Sequence, residues 1–452
     1  MDAELKGIID RSRAALKQIE DYSQDEVDAL VRIIGKVVYD NAELFARLAV
    51  EESGMGNYED KLKKKLGKAR ILWHSLKDKK SVGILMRNDQ TGITEIAKPV
   101  GVVGAVQPCT NPIVTPMANA MAAIKGRNSI IIMPHPRTAN CTKLFVDMVH
   151  EAWKHLDPPD DILICVEKPS IETTSELMKQ VDVVVATGGP GMVRSAYSSG
   201  KPSFGVGPGN VQCIFDTGID IEEAVSMVLT GRTFDNGIIC SGEQSIIMPS
   251  SLRSEVEREL TSQGVFIIRD EQSKAALAAY AFPGGHISKD VVGQPIEKIA
   301  QHSGISLPEG TRVLAVNVDN ADLDSVFRKE KMFNAIALFT YETFDEAVRI
   351  VNHNLSIEGK GHSVAIHSHT TEHIEQLGSS VKASRVMVNA VSATTTGGSF
   401  TNGLGPTSTL GCGSWGNNSI SENFTYKHLL NITRIAMPLS DAHIPSDEEL
   451  WG

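Results

Sequence analysis

Pro99-Val-Gly-Val-Val-Gly-Ala-Val-Gln-Pro-Cys-Thr-Asn-Pro112, the run from Ile113 to Lys125, and then Asn128-Ser-Ile-Ile-Ile-Met-Pro-His-Pro-Arg137 spell a strand, a helix and a second strand. Val100 to Val106 and Ser129 to Met133 are nearly unbroken apolar runs, the pattern of strands covered on both faces. Downstream the rhythm continues: a helix over Thr138 to His155, a strand at Ile162 to Val166, a helix at Ile171 to Lys179 and a strand at Val181 to Ala186. Alternation of this kind predicts βαβ units and a parallel sheet. Such a sheet binds ligands beyond the carboxyl ends of its strands.

A second α/β series starts after Gly205 to Asn210. It predicts strands at Val211 to Phe215, after Cys240, and at Val265 to Ile268, Val313 to Val316, Asn334 to Thr340, Ser363 to His367 and Arg385 to Asn389. Upstream, residues 3 to 50 read as two amphipathic helices, a basic helix runs to Leu76, and Ser81 to Pro99 reads as a projecting hairpin. Ala390 to Asn418 is rich in Gly, Ser, Thr and Asn and follows a strand, so a loop covering a site is expected there. No internal repeat is present.

The chain has 452 residues, a length that implies about two or three domains. Its net charge of −11 argues against nucleic-acid binding, which calls for a basic field. The basic cluster Lys61 to Arg70 follows acidic residues and reads as a solvated helix face. Six scattered cysteines without a Cys-x-x-Cys predict free thiols in a reducing compartment and no metal site. The charged start of the chain is no signal peptide, and no apolar run is long enough to cross a bilayer. A cytoplasmic protein with no membrane partner is the expectation.

Candidate chemistry lies in strand-end loops. Cys240, within Phe234-Asp-Asn-Gly-Ile-Ile-Cys-Ser-Gly-Glu-Gln244, sits at a loop-to-strand junction that suits a nucleophile, although most free cysteines are small buried hydrophobes. Asn111 precedes a proline at a helix start, where it is either a cap or an amide donor to a developing oxyanion. Pro134-His-Pro-Arg-Thr138 is held extended at a strand end where a nucleotide would lie. Ala186-Thr-Gly-Gly-Pro190 brings glycines between a strand and a helix, where backbone amides can approach a phosphate. It lacks the Gly-x-Gly-x-x-Gly spacing, and Gly205-Val-Gly-Pro-Gly209 precedes a strand, so neither marks an ordinary Rossmann site.

These motifs, together with Glu51-Glu-Ser-Gly-Met-Gly56, Ser198-Ser-Gly-Lys-Pro202, Glu330-Lys-Met332, Gly361-His-Ser363 and Gly405-Pro-Thr-Ser-Thr-Leu-Gly-Cys-Gly-Ser-Trp-Gly416, occur in an order that resembles the aldehyde dehydrogenase superfamily. More closely, the chain resembles the CoA-acylating branch, as in the aldehyde dehydrogenase half of bifunctional aldehyde-alcohol dehydrogenases. It ends where an iron-dependent alcohol dehydrogenase half would begin, so a stand-alone enzyme is expected. The resemblance implies an α/β fold: a Rossmann-type cofactor-binding domain over 1–207 with an oligomerisation hairpin at 81–99, an α/β catalytic domain over 208–415, and a C-terminal segment, 416–452, returning to the cofactor domain. A homodimer or homotetramer is implied, with Phe424 to Pro438 as a further interface strand.

The resemblance assigns Cys240 as nucleophile and Asn111, with the Cys240 backbone N–H, as oxyanion donors. His362 is a candidate acid or base for the acceptor thiol, or a histidine satisfied locally. Thr110, His135, Pro136, Arg137, Thr187, Gly188, Gly189, Val193, Gly205, Gly207 and Glu330 are implied to line the cofactor site, Glu330 gripping the nicotinamide ribose. Hydrolytic relatives carry a glutamate at the place of Gly205. Without that base a thioester hydrolyses slowly, so CoA is the expected acyl acceptor. Thr138 stands where many relatives have an adenosine-ribose glutamate, so NAD is expected and NADP is admissible. Ile238 and Ile239 suggest a small pocket for acetaldehyde, whereas Thr395, Ser399 and Thr401 form a polar wall that would suit a charged analogue such as sulfoacetaldehyde. A hydrolytic enzyme giving the free acid is the alternative. The absence of a leading targeting helix argues against a microcompartment enzyme.

Overall fold

A computed structural model describes residues 3–440 and 442–452. The chain opens with helices α1 (Ala3–Ile19), α2 (Gln24–Asp40), α3 (Ala42–Ser53) and α4 (Tyr58–Leu76). The expected pair of helices over residues 3 to 50 is thus corrected to three. The break falls at Asn41, whose backbone (φ −113°, ψ 25°) leaves the helix while its side-chain amide donates to the Val37 carbonyl at 2.9 Å. No proline or glycine marks the break, and apolar burial runs on through Val38, Ala42 and Phe45, so the periodicity hides it.

Strands β1 (Gly83–Asn88) and β2 (Ile93–Pro99) form the antiparallel hairpin expected at 81–99. The first parallel sheet contains β3 (Val102–Val106), β4 (Ser129–Met133), β5 (Leu163–Cys165), β6 (Val183–Thr187) and β7 (Ser203–Val206), in the order β5-β4-β3-β6-β7. All residues of β3 and β4 are buried. Helices α5 (Val114–Lys125), α6 (Ala139–Trp153), α7 (Ile171–Gln180) and α8 (Pro190–Tyr197) are the crossovers. The strand order reverses between β3 and β6, so the loops after β3, β4, β6 and β7 meet at a switch-point crevice.

The second sheet holds β8 (Val211–Phe215), β9 (Glu243–Pro249), β10 (Val265–Ile268), β11 (Val313–Asn317), β12 (Ala335–Tyr341), β13 (Val364–His367) and β14 (Val386–Val388). Its order is β10-β11-β12-β9-β8-β13-β14, all parallel, and α9 (Ile221–Thr233) leads from β8 toward Cys240. Here the carboxyl-end rule does not locate the chemistry. Cys240, Gly209, Glu330 and His362 all lie just before β9, β8, β12 and β13, at the amino edge of this sheet. The site therefore joins the carboxyl edge of one sheet to the amino edge of the other.

The chain then returns. Phe424, Tyr426 and Leu429 enter the core around the first sheet, and β15 (Leu430–Ala436) pairs antiparallel with β2 to complete a three-stranded arm. Ile84, Met86, Ile435 and Met437 are exposed on or next to that arm.

Candidate active site

The turn that delivers Cys240 is conformationally costly. Asp235, Asn236 and Gly237 all adopt positive φ (54°, 52° and 78°), a region that ordinary side chains disfavour. Asp235 pins it. Its fully buried carboxylate accepts from Lys61 Nζ at 3.0 Å, Lys64 Nζ at 2.8 Å and the Asn57 N–H at 3.1 Å, while its own N–H donates to Asp60 at 2.9 Å. Burial raises its pKa, and Lys64 and Lys61 more than offset that, holding it below the usual carboxylate range. Asn236 Nδ2 donates to the Gly56 and Gly293 carbonyls, each at 3.2 Å.

These contacts correct the reading of Lys61 to Arg70 as a solvated face. Lys61 and Lys65 are each 2% exposed, and Lys64 is half-buried against the turn. Asp235→Ala leaves two ammonium groups without their buried counter-ion. It is expected to lower folding stability by about 3–5 kcal/mol, measured by urea denaturation. A loss below about 1 kcal/mol would mean that the lysines are hydrated rather than paired.

Beyond the turn, Gly242 N–H closes onto the Ile239 carbonyl at 3.0 Å, and Ser241 Oγ donates to Ala393 O at 3.0 Å. Cys240 is half-buried. Burial pushes its thiol up to about 12, Glu330 and Cys412 push the same way, and Lys64 opposes them. A protonated resting thiol follows, so attack requires proton removal. A Cβ on Gly209 would stand 1.8 Å from the Cys240 carbonyl oxygen. Only glycine allows the loop after β7 to lie on the nucleophile's backbone.

Glu330 reaches the same loop: its carboxylate accepts the Gly209 N–H at 3.1 Å. Burial first, and then Glu358, push it up to about 8. Glu243, just past the nucleophile, is buried and pushed up to about 7, chiefly by burial; it accepts the Ser392 N–H at 2.7 Å. It thereby ties the Cys240 turn to the long Ala390–Asn418 loop.

On the first sheet's side, the Asn111 side chain makes no hydrogen bond to the described chain, and the cap position of α5 falls to Ile113, which has no side-chain cap bond. The helix-cap reading is thereby set aside. The Thr110 carbonyl accepts from Lys61 Nζ at 3.4 Å, so one lysine ties the Asn111 loop to Asp235 and the Cys240 turn. His135 Nδ1 accepts the Arg137 N–H at 3.1 Å, with Pro136 opening the turn into α6. Burial, then Arg137 and Lys289, lower the His135 pKa. Thr138 is fully buried.

Thr187, at the end of β6, keeps a buried hydroxyl with no partner. Gly188 leads to Gly189, which caps α8; a Cβ on Gly189 or on Gly207 would meet open space. Such unfilled room, an orphaned hydroxyl and a helix N-terminus fit a dinucleotide diphosphate. Gly205 is different. Its Cβ would stand 2.8 Å from Val193 Cγ1 and 3.0 Å from the Tyr197 ring, and its N–H donates to Tyr197 Oη at 2.9 Å.

His362 is buried, its Nδ1 shares a hydrogen with Ser363 Oγ at 2.8 Å, and its Nε2 has no partner. Burial and then Arg385 push its pKa down to about 3, so it is neutral at physiological pH. Arg385 fixes the local backbone by donating to the His362 carbonyl at 2.8 Å and the Gly411 carbonyl at 2.7 Å.

Ile239, the residue before Cys240, and Ser399 line a cavity of about 1010 Å³, together with Lys64, Lys68, Thr394 and Phe400. Ile238 does not line it: it is 4% exposed and packs under Gly293. Thr395 spends its hydroxyl on the Val391 carbonyl at 2.7 Å, and the exposed Thr401 bonds to Ser399 Oγ at 2.8 Å; neither lines the cavity. Lys64, Lys68 and Asp235 were missed by sequence reasoning. Their signal was the helical spacing of the lysines facing an Asp-Asn-Gly turn. Among the described residues no cluster of three or more His, Cys, Asp and Glu side chains could hold a metal, and no helix is long and apolar enough to cross a membrane.

The aldehyde dehydrogenase family model matches residues 2–271. The chain is 47% identical over 451 residues to an acetylating succinate-semialdehyde dehydrogenase of Clostridium kluyveri, covering 100% of this chain and 99% of that protein. The crystal structure of an acetylating aldehyde dehydrogenase from Geobacillus thermoglucosidasius superposes with a TM-score of 0.93 at 36% identity, covering 98% of each chain. A propionaldehyde dehydrogenase from Rhodopseudomonas palustris, solved with CoA and an acylated cysteine, superposes with a TM-score of 0.84 at 26% identity, covering 96% of this chain and 97% of that one. With a cysteine on a clamped turn between two parallel sheets and these relatives along its whole length, the chain belongs to the aldehyde dehydrogenase family, in its acylating branch.

Proposed function

We propose that Cys240 carries the acyl group in a reversible oxidation of a short-chain aldehyde to acyl-CoA, with NAD(P)+ taking the hydride. The Cys240 sulfur, once deprotonated, forms a C–S bond to the aldehyde carbon and the carbonyl π pair moves onto oxygen. Asn111 Nδ2 and the Cys240 N–H stabilise that oxyanion. The nicotinamide, when bound, supplies the hydride acceptor that turns the adduct into an acyl-cysteine thioester. Thr110, His135, Pro136, Arg137, Thr187, Gly188, Gly189, Val193, Gly205 and Gly207 frame its site. Glu330, which accepts the Gly209 N–H, would orient its ribose. The neutral His362 keeps Nε2 without a partner, and in the tautomer whose Nδ1 donates to Ser363 Oγ that nitrogen would accept a proton from an incoming thiol. When the CoA sulfur attacks the thioester, the C–S bond to Cys240 breaks and the cysteine leaves as thiolate.

The single observation that carries the acylating reading is Gly205 packed against Val193 and Tyr197. A side chain there would crowd Val193 and Tyr197, and the position carries no carboxylate that could activate water. By the same family logic we assign 1–207 to cofactor binding, 208–415 to catalysis and 416–452 to an arm that, with β1 and β2, builds a dimer or tetramer. The test is a panel of aldehydes with CoA and each nicotinamide cofactor, acyl-CoA being identified by mass. Acyl-CoA matching NADH or NADPH mole for mole is expected. Free acid as the main product would establish the hydrolytic alternative.

A further inference from the structure

Arg385 is 5% exposed, and its side-chain hydrogen bonds all go to neutral groups. Each of its three nitrogens donates to a different segment: Nη1 to the His362 carbonyl at 2.8 Å, Nη2 to the Gly411 carbonyl at 2.7 Å and Nε to Asn423 Oδ1 at 2.6 Å. Burying a cation among neutral acceptors is a poor route to stability, because its desolvation is not offset by a counter-ion. What a planar guanidinium does supply is a rigid fork that fixes several acceptors relative to one another.

The fork is not needed to hold its own strand. The 382–385 backbone already pairs with 361–364, through Gly361 N–H to the Lys382 carbonyl at 2.7 Å, Ser384 N–H to the Gly361 carbonyl at 3.1 Å and Val364 N–H to the Arg385 carbonyl at 3.0 Å. What the side chain adds is a link from His362 to the long 390–418 loop. A Cβ on Gly361 would stand 1.9 Å from the Cys412 carbonyl oxygen, so the two segments that the fork joins also touch through their backbones. Asn423 extends the link, donating to the Gly405 carbonyl at 2.7 Å and the Thr396 carbonyl at 3.2 Å. The His362 ring has one hydrogen bond, between Nδ1 and Ser363 Oγ, and its Nε2 end has no partner. Its place in the site therefore depends on how its backbone is held. Burial lowers the Arg385 pKa and the Cys412 and Cys240 sulfurs oppose that, which puts the fork within electrostatic reach of the reacting centre.

We propose that Arg385 is a positioning residue for acyl transfer: its fork sets His362 against the 390–418 loop so that Nε2 meets the incoming CoA thiol. This rests on the acylating reading of the same site. In that step Nε2 takes the thiol proton, the CoA sulfur forms its C–S bond to the acyl carbon, and the bond to Cys240 breaks with the cysteine keeping the electron pair. Hydride transfer comes earlier and uses neither His362 nor the CoA thiol. Displacing the ring by about 1 Å is therefore expected to slow acyl transfer and to spare hydride transfer.

The test separates the two half-reactions in the natural enzyme, Arg385→Gln, His362→Ala and the double variant. Rapid mixing with acetaldehyde and NAD(P)+ without CoA reads acylation as a burst of reduced nicotinamide. Saturating CoA is then added to the acyl-enzyme, and quenched samples read acyl transfer by mass spectrometry. Arg385→Gln is expected to keep the burst rate within about twofold and to slow acyl transfer about 10- to 100-fold. On the His362→Ala background the same substitution should cost less than about twofold, because its effect passes through the ring. Burst and transfer slowed alike, or transfer left unchanged, would overturn the proposal, and so would an undiminished cost on the His362→Ala background. Should Arg385→Gln fail to fold, Arg385→Lys, which keeps the charge and loses the fork, is measured in the same way. Transfer alone should then slow by about fivefold or more, and transfer at the natural rate would overturn the role of the fork. Failure of the acylating reading looks different, because the natural enzyme would then form reduced nicotinamide linearly without CoA and no acyl-enzyme would accumulate.

Discussion

Cys240→Ala is expected to reduce CoA-dependent aldehyde oxidation by roughly 10⁴-fold or more, since no later step has an acyl carrier without it. Nicotinamide cofactor binding should survive, because the turn is held by Asp235 and Asn236 and not by the thiol. The other cysteines are poor substitutes. Cys141, Cys165, Cys213 and Cys412 are buried, whereas Cys240 is only half-buried and can be reached by a ligand. Cys109, also half-buried, is the one alternative, and it lies on the loop after β3 rather than on the clamped turn. Steady-state rates of Cys240→Ala, with fluorescence titration of NAD(P)H, check this. Turnover within about tenfold of the natural enzyme would remove Cys240 from the nucleophile's role.

Asn111→Ala is expected to lower kcat by about 10²–10³-fold, the usual cost of losing one oxyanion donor. Stability should barely move, within about 0.5 kcal/mol, because the side chain has no hydrogen bond to lose and caps no helix. A helix cap would give the reverse pattern, with about 1 kcal/mol lost and kcat nearly intact. Parallel measurement of kcat and thermal midpoint separates the two.

The first sheet was legible because β3 and β4 are buried on both faces and therefore read as apolar runs. The break at Asn41 was not, since the apolar stripe passes through it without a glycine or proline. The lysines of α4 were misread for a different reason. A run of charge next to acidic residues looks solvated until Asp235, 174 positions from Lys61, folds back to meet it. Ile238 and Ile239 are equivalent in sequence, yet the turn sends one under Gly293 and the other to the cavity. Gly209 belonged to a motif that failed its context test as a dinucleotide fingerprint. Its need for glycine appears only when the Cys240 carbonyl is found against it.

Cys240 as an acyl carrier awaiting a thiol is tested most directly by a rapid-mixing experiment without CoA. Enzyme at micromolar concentration is mixed with aldehyde and NAD(P)+, and reduced nicotinamide is followed by absorbance. A burst of about one equivalent per chain should appear and then stop, with the acyl group found on Cys240 by mass spectrometry and turnover resuming when CoA is added. Linear formation of reduced nicotinamide without CoA, with free carboxylic acid accumulating, would contradict the account.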